Sequence, residues 1–205
     1  MKTYPRQSNA FTLIELLVVI SIIVILATLM LPHLRSFFLK GQMLQTLNNE
    51  KQLYLATQAM AIDGASTGST NALWPGDLAN PSFSAWATAL SSGYLSTNDF
   101  CKLCSAPGVV VPTDQIPSNA GATAFKIYAV QESSDGNAIF MITKNATLHG
   151  KGTNISFTLD ASIKPYGKQG CVIIHRNGDA VMLLQNQSNN SSAIGELATN
   201  ALLLE

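Results

Sequence analysis

The chain has 205 residues, enough for one domain of ordinary size with an anchoring or targeting segment beside it. Lys and Arg together number 12, as do Asp and Glu, so no basic excess marks a nucleic-acid footprint. Charged residues make up 12 % of the chain against about 25 % in a typical soluble domain, and no period of roughly 20–50 residues repeats. This excludes a disordered chain and a solenoid, and points to a globular protein with a membrane-associated part.

The apolar residues concentrate near the N-terminus. From Phe11 to Leu31 the one ionisable residue is Glu15. A helix of this run, at about 1.5 Å per residue, reaches about 31 Å, or one hydrocarbon thickness. Intrinsic propensity does not favour that helix, because Val18, Val19, Ile20, Ile22, Ile23, Val24 and Ile25 are β-branched. Lipid imposes it, since each backbone group must find a partner within the segment. Lys2 and Arg6 precede the run and favour a cytoplasmic start. A secretory signal would be shorter and end in small residues, which Ile25-Leu26-Ala27-Thr28-Leu29-Met30 does not offer. A plain single-span anchor explains the length and the basic flank but not Glu15. A carboxylate costs about 2.5–3.5 kcal/mol at mid-membrane, and less near a helix end, where it can snorkel.

The stretch Asn9-Ala10-Phe11-Thr12-Leu13-Ile14-Glu15-Leu16-Leu17-Val18-Val19-Ile20 resembles the leader junction of type IV pilins and type II secretion pseudopilins. The resemblance covers about 35 residues. It implies cleavage by a prepilin peptidase between Ala10 and Phe11, N-methylation of Phe11, and a role in assembly for Glu15, with Thr12 matching the usual residue after the Phe. Ala10 departs from the Gly usual before the cut, but it is small enough for the same pocket. Physics gives Glu15 a matching task. Cutting before Phe11 creates an amine at the membrane boundary, and staggered subunits would bring it beside a neighbour's carboxylate, so that two charges costly in lipid neutralise one another. Pro32 closes the apolar run. It reads either as the stop of a membrane helix or as a kink within a longer one.

Beyond it, Leu34, Phe37, Phe38, Leu44, Leu47, Tyr54, Leu55 and Ile62 recur at three- and four-residue steps and predict an amphipathic helix over 33–62. Asp63-Gly64 is expected to end it, before a polar linker to Asn71. Residues 81–95 predict a short helix with Ser82 as N-cap. Strands are expected at Ala124–Val130, Ala138–Thr143 and Ile155–Leu159. The clearest hairpin is Cys171–His175 with Ala180–Leu184, around an Asn177-Gly178 type I′ turn. The chain thus divides into a leader (1–10), a transmembrane and polymerisation helix (11–32), an amphipathic helix (33–62) and a head (63–205) with a polar C-terminal tail. The fold class is α+β, with a long helix packed on an antiparallel sheet, which is also the shape the resemblance implies.

Cys101, Cys104 and Cys171 are disulfide candidates if the head folds outside the cytoplasm, either as Cys101–Cys104 or as one of these with Cys171. Free buried thiols are the alternative. A redox pair would need the first thiol at a helix N-terminus, and Pro107-Gly108 argues against a helix there. Zinc would need Cys101, Cys104, Cys171 and His175, but Cys171 and His175 on one strand lie about 13 Å apart. His33 sits at the membrane edge and His149 in a Gly/Lys-flanked turn. Asp135, Asp160 and Asp179 could serve calcium, although Asp at turns is usually a turn former. No catalytic constellation appears, so no enzyme and no cofactor are expected.

The resemblance implies a non-enzymatic filament subunit stored in the bacterial inner membrane, N-terminus in the cytoplasm and head outside. Its partners would be other copies, related pilin-like subunits, the prepilin peptidase, lipid and an inner-membrane assembly platform. A type II secretion pseudopilin is favoured, because no cysteine pair brackets a C-terminal loop. A type IV pilin for adhesion or DNA uptake and an anchored binding domain that never polymerises are the alternatives.

Overall fold

The computed structural model describes residues 12–197 and 201–205, with only the backbone at positions 32 and 33. The chain divides into two units, one ending at Gly41 and one running from Gln42 to Glu205, and helix α1, Leu13–Thr67, contributes to both. In the first unit the N-terminal part of α1, Leu13–Leu31, is apolar on every side apart from Glu15. Leu13–Leu31, with a mean hydropathy of 2.9, is long and apolar enough to cross a membrane and fits a single-pass anchor. Its Leu, Ile, Val and Met side chains are exposed all round, a surface suited to lipid rather than water. The hydroxyls of Ser21 and Thr28 donate to the carbonyls of Leu17 and Ile25, each at 2.8 Å, so the helix satisfies its own polar side chains. The helix continues through position 32, so the proline lies inside it rather than at its end.

In the second unit α1 buries a different face from the expected stripe. The inward residues are Met43, Thr46, Glu50, Leu53, Tyr54, Thr57, Met60, Ala61 and Gly64. Of the residues expected inside, Tyr54 is buried, whereas Leu44, Leu55 and Ile62 are at least half exposed. The helix also outlasts the expected stop. Gly64 is no terminator: a Cβ there would lie 1.7 Å from the carbonyl oxygen of Ala72, so close approach of the following loop demands glycine. The helix ends at Thr67, where Gly68 takes φ +68° and Ser69 N–H donates to Gly64 O at 3.0 Å, a left-handed C-terminal cap.

Strands β1 (Phe125–Ile127), β2 (Ile139–Thr143), β5 (Gly170–His175) and β6 (Ala180–Leu184) form an antiparallel sheet in the order β1-β2-β5-β6. Strands β3 (Ala146–Lys151) and β4 (Asn154–Leu159) form a separate hairpin. Strands β2 and β5 are buried throughout because the sheet carries a core on each face. One core joins α1 to Trp74, Phe140 and two short helices, α2 (Phe83–Ser91) and α3 (Thr97–Leu103). Trp86 stacks edge-on against Phe100 and Phe140, and its Nε1 donates to Thr57 Oγ1 at 3.1 Å. The other core sets Ile142, Cys171 and Ile173 against Ile155 and Phe157 of the β3–β4 hairpin.

Ser82 caps α2 as expected, accepting from Ala85 N–H at 3.2 Å. Helix α3 and strand β3 had no sequence expectation, and His149 lies in β3, its Nε2 2.8 Å from Thr158 Oγ1, not in a turn. The β5–β6 turn is not type I′, since Gly178 has φ +86° but no other residue type has positive φ among the described residues. Instead Gly178 N–H donates to His175 O and His175 N–H to Asp179 O, giving a three-residue loop with a left-handed glycine. The last residues are not a polar tail. Leu204 is buried, its N–H donates to Ile127 O, and Ala129 N–H donates to Leu202 O, which extends the sheet beside β1.

Candidate functional site

The processing junction, Ala10 and Phe11 with Lys2 and Arg6, lies outside the described residues, which begin at Thr12. Thr12 and Glu15 form a reciprocal cap at the start of α1. Thr12 N–H and Oγ1 each donate to Glu15 Oε2 at 2.8 Å, and Glu15 N–H donates to Thr12 Oγ1 at 3.3 Å. This is the Thr-x-x-Glu capping box, a signal that the sequence carried and that the assembly reading of Glu15 had passed over. The carboxylate therefore has a task within its own chain. Both Thr12 donors meet one oxygen, Oε2, which leaves Oε1 to a further partner. Within Leu13–Leu31 it remains the single ionisable group.

The head residues considered for chemistry are not brought together. Cys101 and Cys104 lie at the C-terminal end of α3 and belong to the α1-side core, whereas Cys171 on β5 belongs to the other core. All three are free thiols, so the expected disulfide is not formed. With Cys171 on the far face of the sheet, neither other cysteine shares its core. The position of Cys101 in the last turn of α3 also removes the helix N-terminus that a redox pair requires. Burial raises the thiols further: Cys171 is pushed up to about 12, and Cys101 and Cys104 are raised as well, which makes them poor nucleophiles. His175 Nε2 lies 2.9 Å from Ile194 O, away from any zinc set. No group of three or more His, Cys, Asp or Glu suited to a metal occurs among the described residues. Asp135, Asp160 and Asp179 each hold a local turn, through Asn137 N–H, Ser162 N–H and Asn177 Nδ2 respectively.

One residue absent from the sequence reading stands out. Glu50 is wholly buried on the inward face of α1, and neither carboxyl oxygen has a hydrogen-bond partner among the described residues. Its spacing from Met43, Thr46, Leu53 and Thr57 was the available signal, had the stripe been drawn through this face.

Residues 5–31 match the family model described as the prokaryotic N-terminal methylation motif. The chain is similar to the type IV major fimbrial protein FimA of Dichelobacter nodosus, with 31 % identity over 88 residues, 42 % of this chain. That match spans 56 % of the fimbrial protein's length. No solved structure matches. The chain therefore carries the prokaryotic N-terminal methylation segment and is similar, over the matched part, to a type IV fimbrial protein.

Proposed function

We propose that this chain is a structural subunit of a pilus-like filament, and more specifically a type II secretion pseudopilin. A prepilin peptidase cuts between Ala10 and Phe11, Phe11 is N-methylated, and the subunit waits in the inner membrane with its N-terminus cytoplasmic and its head outside. Lys2 and Arg6 support that orientation. Assembly with other copies and with related pilin-like subunits on an inner-membrane platform pairs Glu15 with the new amine of a neighbour. The observation that carries this reading is Glu15 itself. It is the one ionisable group in an apolar span exposed on all sides, within a matched methylation motif, and its Oε1 is not taken by the Thr12 cap. A charge placed there is costly until a counter-charge arrives.

The role is structural and not enzymatic. Cys171 is the one cysteine after Cys104, so no cysteine pair brackets a C-terminal loop, which supports the secretion system over an adhesive or DNA-uptake pilus. The similarity to a fimbrial protein favours the second reading, a type IV pilin. Mass spectrometry of the mature N-terminus tests both at once, with N-methylated Phe11 expected. An intact Met1 or a cut near Ala27 would overturn filament assembly in favour of a plain anchor. Deletion of the gene then separates the two filaments: loss of secreted proteins identifies a pseudopilin, and loss of surface fibres with secretion intact identifies a pilin.

A further inference from the structure

Glu50 sits where residues 42–67 of α1 lie against the sheet of the head. The contact is close: a Cβ on Gly170 of β5 would come 3.0 Å from Met43 Cε, and one on Gly178 would come 2.7 Å from the Tyr54 ring. Glu50 is 0 % exposed, and both its oxygens lack hydrogen-bond partners among the described residues.

The polar groups around it have committed their protons elsewhere. Thr46, one turn earlier, shares a 2.5 Å hydrogen bond with the Tyr166 hydroxyl, which itself donates to Gln42 O at 3.0 Å. Thr46 is therefore the donor in that pair, and neither hydroxyl proton remains for Glu50. Thr57, two turns later, donates to Leu53 O and accepts from Trp86. Among the described residues, the titratable groups that feel the Glu50 charge are Tyr166, from the segment before β5, and Cys171, on the opposite face of β5. Both are acids that the Glu50 charge disfavours ionising, and neither is a cation. The ion pair of Arg176 with Glu132 lies elsewhere, over Trp74. A carboxylate enclosed in this way has neither solvent nor counter-charge, so the docked helix favours the neutral acid. Burial accordingly raises the Glu50 carboxyl well above the usual carboxylate range.

We propose that Glu50 makes the docking of α1 on the head sheet conditional on a proton, the neutral carboxyl holding residues 46–57 down and the ionised one releasing them. The docked state binds one more proton than the released state, so rising pH favours release. The opening equilibrium should grow about tenfold per pH unit between the ordinary carboxyl value and the raised one. This device belongs to the head alone and does not depend on the filament reading.

Hydrogen exchange of the full chain in non-ionic detergent tests it, read on peptides covering 46–57 and corrected for intrinsic exchange rates, from about pH 5.5 to about pH 8.5. The wild type should lose protection steeply as pH rises, whereas Glu50→Gln and Glu50→Leu should show a flat profile. The infrared carbonyl band of a protonated carboxylic acid should persist above about pH 6 in the wild type and fade in step with protection. A flat wild-type profile, or the same slope in either variant, overturns the proposal. Should both variants fail to fold, the wild type decides: a protected helix with no protonated-acid band above about pH 6 overturns it.

Discussion

Replacing Glu15 by Gln and by Val separates the helix cap that the carboxylate makes from the intermolecular charge pairing proposed for it. Gln at this third helical position keeps an acceptor for Thr12 N–H and Oγ1, both now 2.8 Å from Oε2, and so preserves the cap. Val removes both cap and charge. Loss of a helix cap costs about 0.5–2 kcal/mol. Leaving a neighbour's amine unpaired in an apolar setting costs roughly 2–5 kcal/mol, or about 30-fold to several thousand-fold per contact at about 1.4 kcal/mol per tenfold. The charge term is the larger, so Gln should fail nearly as badly as Val. The assay is the yield of sheared filaments by immunoblot, with carbonate extraction confirming that each variant still inserts in the membrane. Both variants are expected in the membrane at wild-type amounts with filament yield reduced at least about 30-fold. Wild-type yield from Gln together with failure of Val would reduce Glu15 to a helix cap and refute the ion-pair argument.

Gly64→Ala should destabilise the head by about 2 kcal/mol, because overpacking costs about 1–3 kcal/mol or more against a backbone atom and alanine's helix propensity returns only about 1. Gly41→Ala, whose Cβ meets nothing within 4 Å, should raise the urea midpoint or leave it unchanged, and a Gly64→Ala midpoint at or above wild type would contradict the close approach to Ala72. A thiol-specific chromogenic reagent should find no reactive cysteine in the native chain and three after unfolding in urea, whereas a single thiol in urea would reveal a disulfide. Removing residues 202–205 takes Leu204 out of the core at a cost of roughly 1.5–3 kcal/mol and bares the edge of β1. Concentration-dependent association in sedimentation should follow, and a truncated head that stays monodisperse and equally stable would count against that docking.

What the sequence made legible was written in local chemistry. The span is a run of apolar side chains, α2 announces itself by Ser82 and an apolar face, and the β5–β6 hairpin by Asn177-Gly178. The turn type escaped because it depends on the φ of Asn177, which the dipeptide does not dictate. Helix α3 escaped because Pro107-Gly108 lies beyond its end, while its real start, Ser96 capping Asp99 N–H, is only a two-residue signal. Strand β3 hid behind Gly150, whose φ of +96° and close approach to Asn154 O mark a tight pairing and not a break. The inward face of α1 was misread for a stronger reason. Leu44, Leu55 and Ile62 are apolar and exposed, while Thr46, Glu50 and Thr57 are polar and buried. Hydrophobicity alone therefore drew the stripe through the wrong side. Which face is buried was decided by partners far away in sequence, Tyr166 for Thr46 and Trp86 for Thr57.

The same contrast bears on the two carboxylates of α1. Glu15 looks anomalous in the sequence, alone among apolar residues, yet its chain supplies it with two donors from Thr12. Glu50 looks ordinary in the sequence, one polar residue among Asn48, Asn49, Lys51 and Gln52, yet both its oxygens are buried without a hydrogen-bond partner among the described residues. Sequence context reports the average surroundings of a charge, but its energy depends on specific donors within about 3 Å. For Glu15 those donors are local, three residues away, and the remaining oxygen can wait for an intermolecular partner. For Glu50 the nearby hydroxyls of Thr46 and Tyr166 are spent on one another and on Gln42. A proton can neutralise the carboxylate without any further group having to enter the docked interface. On the proposed function Glu15 answers to the arrival of another chain, whereas the proposal for Glu50 makes it answer to the acidity around the head.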